Sequence, residues 1–203
     1  MSEYQPPAEE VKKLRDATGA GMMDCKRALQ ESRGDVDGAV ELLRKKGLDR
    51  ARGRAGRQAT EGVIQSYIHF NGRVGVLVEV NCETDFVANT DEFKQLAKDV
   101  ALHIASARPR WLTRDQIPTS DLEQERKIYE AQAGEQGKPA NVVERIVEGK
   151  LNSFFKETVL LDQAFVRDDA KTVGELADEV SAKVGEKVAI RRFARFELGE
   201  ELD

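Results

Sequence analysis

The stretch from Gly62 to Val80 constrains the fold of this chain most. Two runs, GVIQSYIHF and RVGVLVEV, are rich in β-branched and aromatic residues and flank Asn71-Gly72. An Asn-Gly pair tolerates the positive φ angles of tight turns, so the two runs predict an antiparallel hairpin. A last run near the C-terminus, KVAIRRFARFEL, alternates well enough to join that hairpin as an edge or third strand.

On either side the hydrophobic period is helical. Pro7 precedes AEEVKKLRDATG, with Val11, Leu14 and Ala17 at helical spacing, and Gly19 and Gly21 punctuate it. In MMDCKRALQESRG, Met22, Cys25, Ala28 and Leu29 share a face, and Gly34 ends the helix. Asp35 or Asp37 can cap a third helix whose inner face is Ala39, Leu42 and Leu43, with Gly47 as its stop. Each helix offers one narrow apolar stripe, so the three must pack on each other into a very small domain of marginal stability. Arg50, Arg52, Arg54 and Arg57 then alternate with small residues. That pattern reads as a solvated linker with room for partial helix. An RNA-binding reading is disfavoured because no aromatic residues accompany the arginines for base stacking.

After the hairpin comes NCETDFVANTDEF, in which Asn89 or Thr90 caps a helix with Phe93, Leu96, Ala97, Val100 and Ile104 inward; Asn89 and Glu92 form an approximate capping box. Ser120 and Glu123 form a second candidate box, opening a helix that GEQGKP breaks. The answering helix carries Val143, Ile146, Val147, Leu151 and Phe154 on one side, so residues 119–157 predict an antiparallel helical hairpin, read as a projecting arm. Thr172 and Glu175 form a third box before the final strand. The fold class is α+β: a three-helix unit at 1–49, an Arg-rich linker at 50–60, and a core at 61–203 of helices packed on a small antiparallel sheet.

The net charge of −5 and pI near 5.3 argue against a general nucleic-acid binder, which needs a basic footprint. The N-terminus has no basic region followed by an apolar one, and no apolar run approaches the ~20 residues that span a bilayer. Cys25 and Cys82 form no CxxC pair, so neither a disulfide framework nor a zinc site is expected, and a reducing cytoplasm is the default location.

Gly19-Ala20-Gly21 cannot open a dinucleotide fingerprint, because Asp24 stands at the third glycine position and no strand precedes it. Asp35 to Gly38 resembles a calcium loop only superficially, since its glycine comes too early and the closing glutamate is missing. His69 and His103 read first as satisfied structural histidines. A Cys82–His103 dyad lacks an oxyanion segment and a third orienting residue, and Cys82 reads better as a small buried residue. Asp85 and Phe86 are different. Asn81, Thr84 and Asn89 can bond to the local backbone and stiffen it. Phe86 then either packs down onto the sheet or forms a preformed ridge for insertion into a partner.

LRDATGAGMMDCKRALQES (Leu14 to Ser32) and VEVNCETDFVAN (Val78 to Asn89) closely resemble bacterial translation elongation factor Ts. Gly137-Lys138-Pro139, VEGK (Val147 to Lys150) and AIRRFARFELGE (Ala189 to Glu200) match as well, so the resemblance covers essentially the whole chain.

The resemblance implies a guanine nucleotide exchange factor without covalent chemistry. Such a factor binds elongation factor Tu carrying GDP, displaces Mg²⁺ and GDP, and leaves when GTP binds. It implies a ubiquitin-associated-like fold for the N-terminal helices, whose matching contact residues are Leu14, Arg15, Met22 and Met23. The segment that dislodges Mg²⁺ is matched by Thr84, Asp85, Phe86 and Val87. His103 matches a histidine supporting that contact, and Val184-Gly185 matches a further contact turn. The resemblance implies no cofactor or metal held by the chain itself. Longer members carry two related core halves, so this chain resembles the short form, expected to pair as a homodimer with the sheet edge as interface. Asn89 stands where many members have lysine. Two other readings compete: a ubiquitin-associated-like interaction module without exchange activity, and a thiol enzyme using Cys82.

Overall fold

The structure, a computed structural model, describes residues 4–54, 56–134 and 139–201. Its first helices are α1 (Ala8–Thr18), α2 (Met22–Glu31) and α3 (Val36–Gly53). Pro7 opens α1, its carbonyl accepting from the N–H groups of Glu10 and Val11. Most of the stripes predicted from spacing meet: Val11, Leu14, Cys25, Ala28, Leu29, Ala39 and Leu43 form one buried cluster, whereas Ala17, near the end of α1, is exposed. Met22, expected on the inner face of α2, is instead exposed. It occupies the first helical position, past the end of the packed stripe.

Gly47 does not end α3, which continues through the first residues of the expected linker to Gly53. A Cβ on Gly47 would lie 3.2 Å from the Ala182 Cβ, so the missing side chain lets two helices approach closely. The partner is α8 (Val173–Val184). Arg44 adds an ion pair to Glu179 of α8 at 3.1 Å, and Arg54 Nη1 donates to the Ser181 carbonyl at 3.2 Å. A core of seven buried residues is small, and this docking supplies packing that it lacks alone.

The predicted hairpin forms from β1 (Glu61–Ile68) and β2 (Val74–Cys82). Its turn is longer than a two-residue connection. His69 N–H donates to the Val74 carbonyl, Gly72 takes φ 69°, and Asn71 Oδ1 accepts from Arg73 N–H. The last run, β5 (Ala189–Glu197), pairs antiparallel with β2, giving the order β1-β2-β5. Gly62 is fixed by the ladder: a Cβ there would fall 2.1 Å from the Val80 carbonyl oxygen.

Val76, Val78, Val80 and Cys82 project from the central strand onto α5 (Asp91–Ala107), which contributes Phe93, Leu96, Ala97, Val100, Ala101 and Ile104. Thr90, not Asn89, caps α5, accepting from Phe93 N–H at 3.3 Å. Val173 and Ala177 of α8 complete the main core. The Thr172–Glu175 capping box is present in both directions, at 3.1 and 3.0 Å.

The box predicted at Ser120–Glu123 does not form. Helix α6 (Thr119–Gly134) begins directly after Pro118, whose carbonyl accepts from Asp121 and Leu122 N–H, so Ser120 lies inside the helix. Helix α7 (Ala140–Thr158) packs against α6, with Lys150 bonded to Gln132 and its ammonium 5.4 Å from the Tyr129 ring centre. The expected GEQGKP break falls mostly on residues 135–138, outside the described residues. At the base of this pair, Ile117, Phe154 and Val159 are buried beside Trp111, Leu122, Tyr129 and Phe155. A small ribbon of β3 (Ala164–Phe165) and β4 (Asp168–Thr172) leads into α8. The sequence reading contains no counterpart to it, because DDAKT has neither apolar alternation nor β-branched enrichment.

Candidate functional site: a clamped aromatic ridge

Between the end of β2 and the start of α5, the chain makes one turn of helix, α4 (Asp85–Ala88). Thr84 is its cap: extended backbone (φ −131°, ψ 156°) with Oγ1 accepting from Val87 N–H at 3.4 Å. Asn89 closes the other end, its Nδ2 donating to the Asp85 carbonyl at 3.0 Å. Thr90 Oγ1 donates to the Val87 carbonyl at 2.8 Å while also capping α5. One helical turn sends its first two side chains and its last two in opposite directions. Val87 and Ala88 enter the core, whereas Asp85 is exposed and Phe86 is 82% exposed. Phe86 therefore does not pack on the sheet.

The base of the turn is held by residues about a hundred positions away. Glu186 Oε2 accepts from Glu83 N–H at 3.1 Å and from Thr84 N–H at 3.0 Å; its Oε1 accepts from the Thr84 hydroxyl at 2.7 Å. In return Glu83 Oε1 accepts from Lys187 N–H at 2.6 Å and from Arg57 Nη1 at 3.2 Å. The Lys187 backbone donor, then the Arg57 guanidinium, hold the Glu83 carboxyl below its ordinary 4.5. Val184 and Gly185, the last residue and the left-handed cap of α8, immediately precede Glu186 and so stand beside the ridge. The sequence reading missed Glu83, Glu186, Lys187 and Arg57. No local pattern marks them, because the bonds join segments remote in the chain.

The other sequence candidates lie elsewhere. Cys82 is fully buried, donates from Sγ to the Thr84 carbonyl at 3.1 Å, and has its thiol pushed up to about 11, first by burial and then by the nearby Glu186 charge. His103 is also fully buried, in the last turns of α5. From Asp91 to His103 the helix rises about 18 Å, so the two groups stand at opposite ends of α5. The His103 Nδ1 accepts from Val166 N–H at 3.3 Å, so Nε2 carries the proton to Gln163 Oε1 at 2.9 Å; burial lowers its pKa below the ordinary 6.5. The two side chains form no dyad. His69, half-buried just past β1, meets the Tyr67 hydroxyl at 3.0 Å. Among the described residues no group of three His, Cys, Asp or Glu side chains is placed to hold a metal ion.

Of the residues matched to the N-terminal contact surface, Arg15, Met22 and Met23 are exposed. Leu14 is a correction: it points into the three-helix core, where α1 must bury its single apolar stripe.

Fold and site together define an α+β protein that displays a preformed aromatic ridge, braced from behind, beside an exposed carboxylate. The chain belongs to the elongation factor Ts family, which are translation elongation factors: the family described as Elongation factor TS matches residues 40–200. Elongation factor Ts of Carboxydothermus hydrogenoformans is 59% identical over 192 residues, covering 95% of this chain and 88% of that protein. That of Thermoanaerobacter pseudethanolicus is 56% identical over 196 residues, covering 97% and 96%. That of Fervidobacterium nodosum is 51% identical over 193 residues, covering 95% and 98%.

Proposed function

We propose that this protein is a guanine nucleotide exchange factor for elongation factor Tu and that Thr84, Asp85, Phe86 and Val87 are its working element. The observation that carries this reading is the orientation of Phe86, 82% exposed on a helical turn whose other side is buried. A large aromatic side chain held in water by a braced backbone gains free energy only when a partner covers it.

The exchange mechanism follows from coupling. GDP and its Mg²⁺ are held in a GTPase by phosphate-cradling backbone groups and ordered water. Tight binding of a factor to the GDP form changes nothing by itself; the factor must bind the nucleotide-free form better, and GDP then weakens the factor to the same degree. A thousandfold faster release needs about 4 kcal/mol of such preference. Burying Phe86 in an apolar crevice of the partner supplies about 2–3 kcal/mol. Asp85, exposed beside it, brings a negative charge that competes for the polar groups around the metal. GTP binding then releases the factor. No bond is made or broken in this chain, which takes no cofactor or metal of its own.

Arg15, Met22 and Met23 form a second contact, to the nucleotide-binding domain, on a ubiquitin-associated-like unit whose interior Leu14 supports. Val184 and Gly185 add a third beside the ridge. His103 acts from within, tying α5 to Gln163 and Val166. The α6–α7 pair is the proposed helical hairpin. A homodimer is proposed too, through the outer face of the sheet rather than its edge. Ile64, Ile68, Leu77 and Phe196 are exposed there. The site of action is the cytoplasm; among the described residues no helix is long and apolar enough to cross a membrane.

The test is release of fluorescent GDP from purified elongation factor Tu. The wild-type protein accelerates it, and Phe86→Ala lowers the acceleration about 10- to 100-fold with an unchanged melting temperature. Absence of any acceleration by the wild-type protein sinks the assignment and leaves the interaction-module reading. Normal exchange by Phe86→Ala removes the ridge from it.

A further inference from the structure

Resting on the exchange reading, we propose that Glu186 is a positioning residue for exchange: through Thr84 it holds the Asp85–Phe86 turn in its partner-ready orientation.

Thr84 and Glu83 are the two residues between a strand end and a helical turn, where neither ladder nor helix satisfies the backbone N–H groups. One carboxylate takes both of them, at 3.0 and 3.1 Å. Its other oxygen takes the Thr84 hydroxyl proton at 2.7 Å. That bond commits the hydroxyl proton to Glu186 and leaves a lone pair for Val87 N–H, which Oγ1 accepts at 3.4 Å. The cap of α4 is therefore relayed: Glu186 orients Thr84, and Thr84 orients the turn that carries Phe86. Such charge-assisted bonds to a fixed carboxylate are the strong kind.

The arrangement is reciprocal. Glu83 receives Lys187 N–H at 2.6 Å, and Lys187 Nζ donates to the Arg57 carbonyl at 2.8 Å while Arg57 reaches back to Glu83. Ridge base, α8–β5 turn and the end of the segment from α3 thus form a closed ring. The sheet already brings the segments together, since Asn81 pairs with Ala189. Glu186 is not required to hold the main core, whose buried cluster of β2, α5 and α8 side chains does not include it. Its bonds converge on the residue that starts the ridge.

The test is steady-state exchange on elongation factor Tu carrying fluorescent GDP, with melting temperatures measured in parallel. Glu186→Ala is expected to lower kcat/KM at least about tenfold in protein that remains folded at the assay temperature. Glu186→Gln keeps one acceptor for the two N–H groups and can donate to the Thr84 hydroxyl, so it is expected to retain exchange within about threefold. In a Phe86→Ala background, adding Glu186→Ala is expected to cost little more, because a residue acting through the ridge has nothing left to position. Full additivity of the two losses overturns the proposal and makes Glu186 a separate contact. Equal losses in Glu186→Gln and Glu186→Ala overturn it in favour of a charge effect. Normal exchange by Glu186→Ala, with Phe86→Ala impaired, overturns this inference alone. Normal exchange by Phe86→Ala is the failure of the underlying ridge reading, and the two outcomes are distinct.

Discussion

At Cys82, the burial that fills the end of the sheet also disarms the thiol. The thiolate is the reactive form, and with its titration pushed up to about 11 very little exists at neutral pH. Cys82→Ala is therefore expected to leave exchange unchanged and to lower stability by about 1–2 kcal/mol through lost packing. The native protein should resist alkylation at pH 7.5 until it is unfolded. Loss of exchange in folded Cys82→Ala protein would restore the thiol-enzyme reading. His103 gives a pH signature. Its folded pKa lies below 6.5 because burial disfavours the cation. The unfolded chain thus binds more protons in the window between the two values. The stabilisation is full above pH 6.5 and is lost as pH falls through the lowered folded pKa. Melting temperature should drop on going from pH 7.5 to pH 5.5, and His103→Gln, less stable at pH 7.5, should show a flatter dependence over that range. At this scale residue types were legible in the sequence but orientation was not. TDFV contains two apolar side chains with opposite fates, Phe86 out and Val87 in, and only the one-turn helix separates them. Glu186 was invisible because its function is a contact with Thr84, 102 residues away.

Among the elements, local signals were read correctly where local bonds decide. Thr172 and Glu175 each accept from the other's backbone N–H within one turn, so their spacing sufficed. Thr172→Ala should cost about 1 kcal/mol, seen as a lower midpoint in urea unfolding with an unchanged slope. The same reasoning failed at Ser120, where Pro118 sets the start of α6 two residues too early for the serine to cap it. It failed again at Gly47, whose glycine signal has two meanings. A stop needs only the local chain, whereas the close approach to Ala182 depends on a helix far along the sequence. Gly47→Leu is accordingly expected to weaken the docking of α3 on α8 while leaving the sheet core intact. Limited proteolysis should then cut first between α3 and β1. If the Gly47→Leu protein is cleaved no faster there than wild type, the glycine is not a packing residue.

For the molecule as a whole, the described residues cover one face of the sheet and leave the other bare. Its inner rows sit under α5 and α8, but outward the register aligns Ile68 with Gly75 and Phe196, and Ser66 with Leu77 and Ala194. Ile64, Ile68 and Phe196 are each about two-thirds exposed on this face. Charge flanks it where Glu79 pairs with Arg192 at 2.6 Å. An apolar patch rimmed by ion pairs has the composition of an interface core and rim. The alternation that builds such a patch was legible, since a period of two necessarily gives the sheet a second face. Whether helices cover that face is decided by topology, and α5 and α8 both lie on the same side. A stable pair of this kind needs about 800 Å² from each copy, which three short strands provide only if the faces meet broadly rather than edge to edge. Sedimentation equilibrium at micromolar concentration should give a dimer for the wild type. Phe196→Glu should shift it to monomer, because two buried carboxylates would have no partner across a two-fold axis. Leu77 stands in the next row of the same face, so Leu77→Glu should act alike. Phe70→Glu, at the hairpin tip, should disturb pairing less. A monomeric wild type would leave the bare face without a second copy to cover it. With a dimeric wild type and a monomeric Phe196→Glu, exchange by the monomer measures how much of the contact with elongation factor Tu each copy supplies.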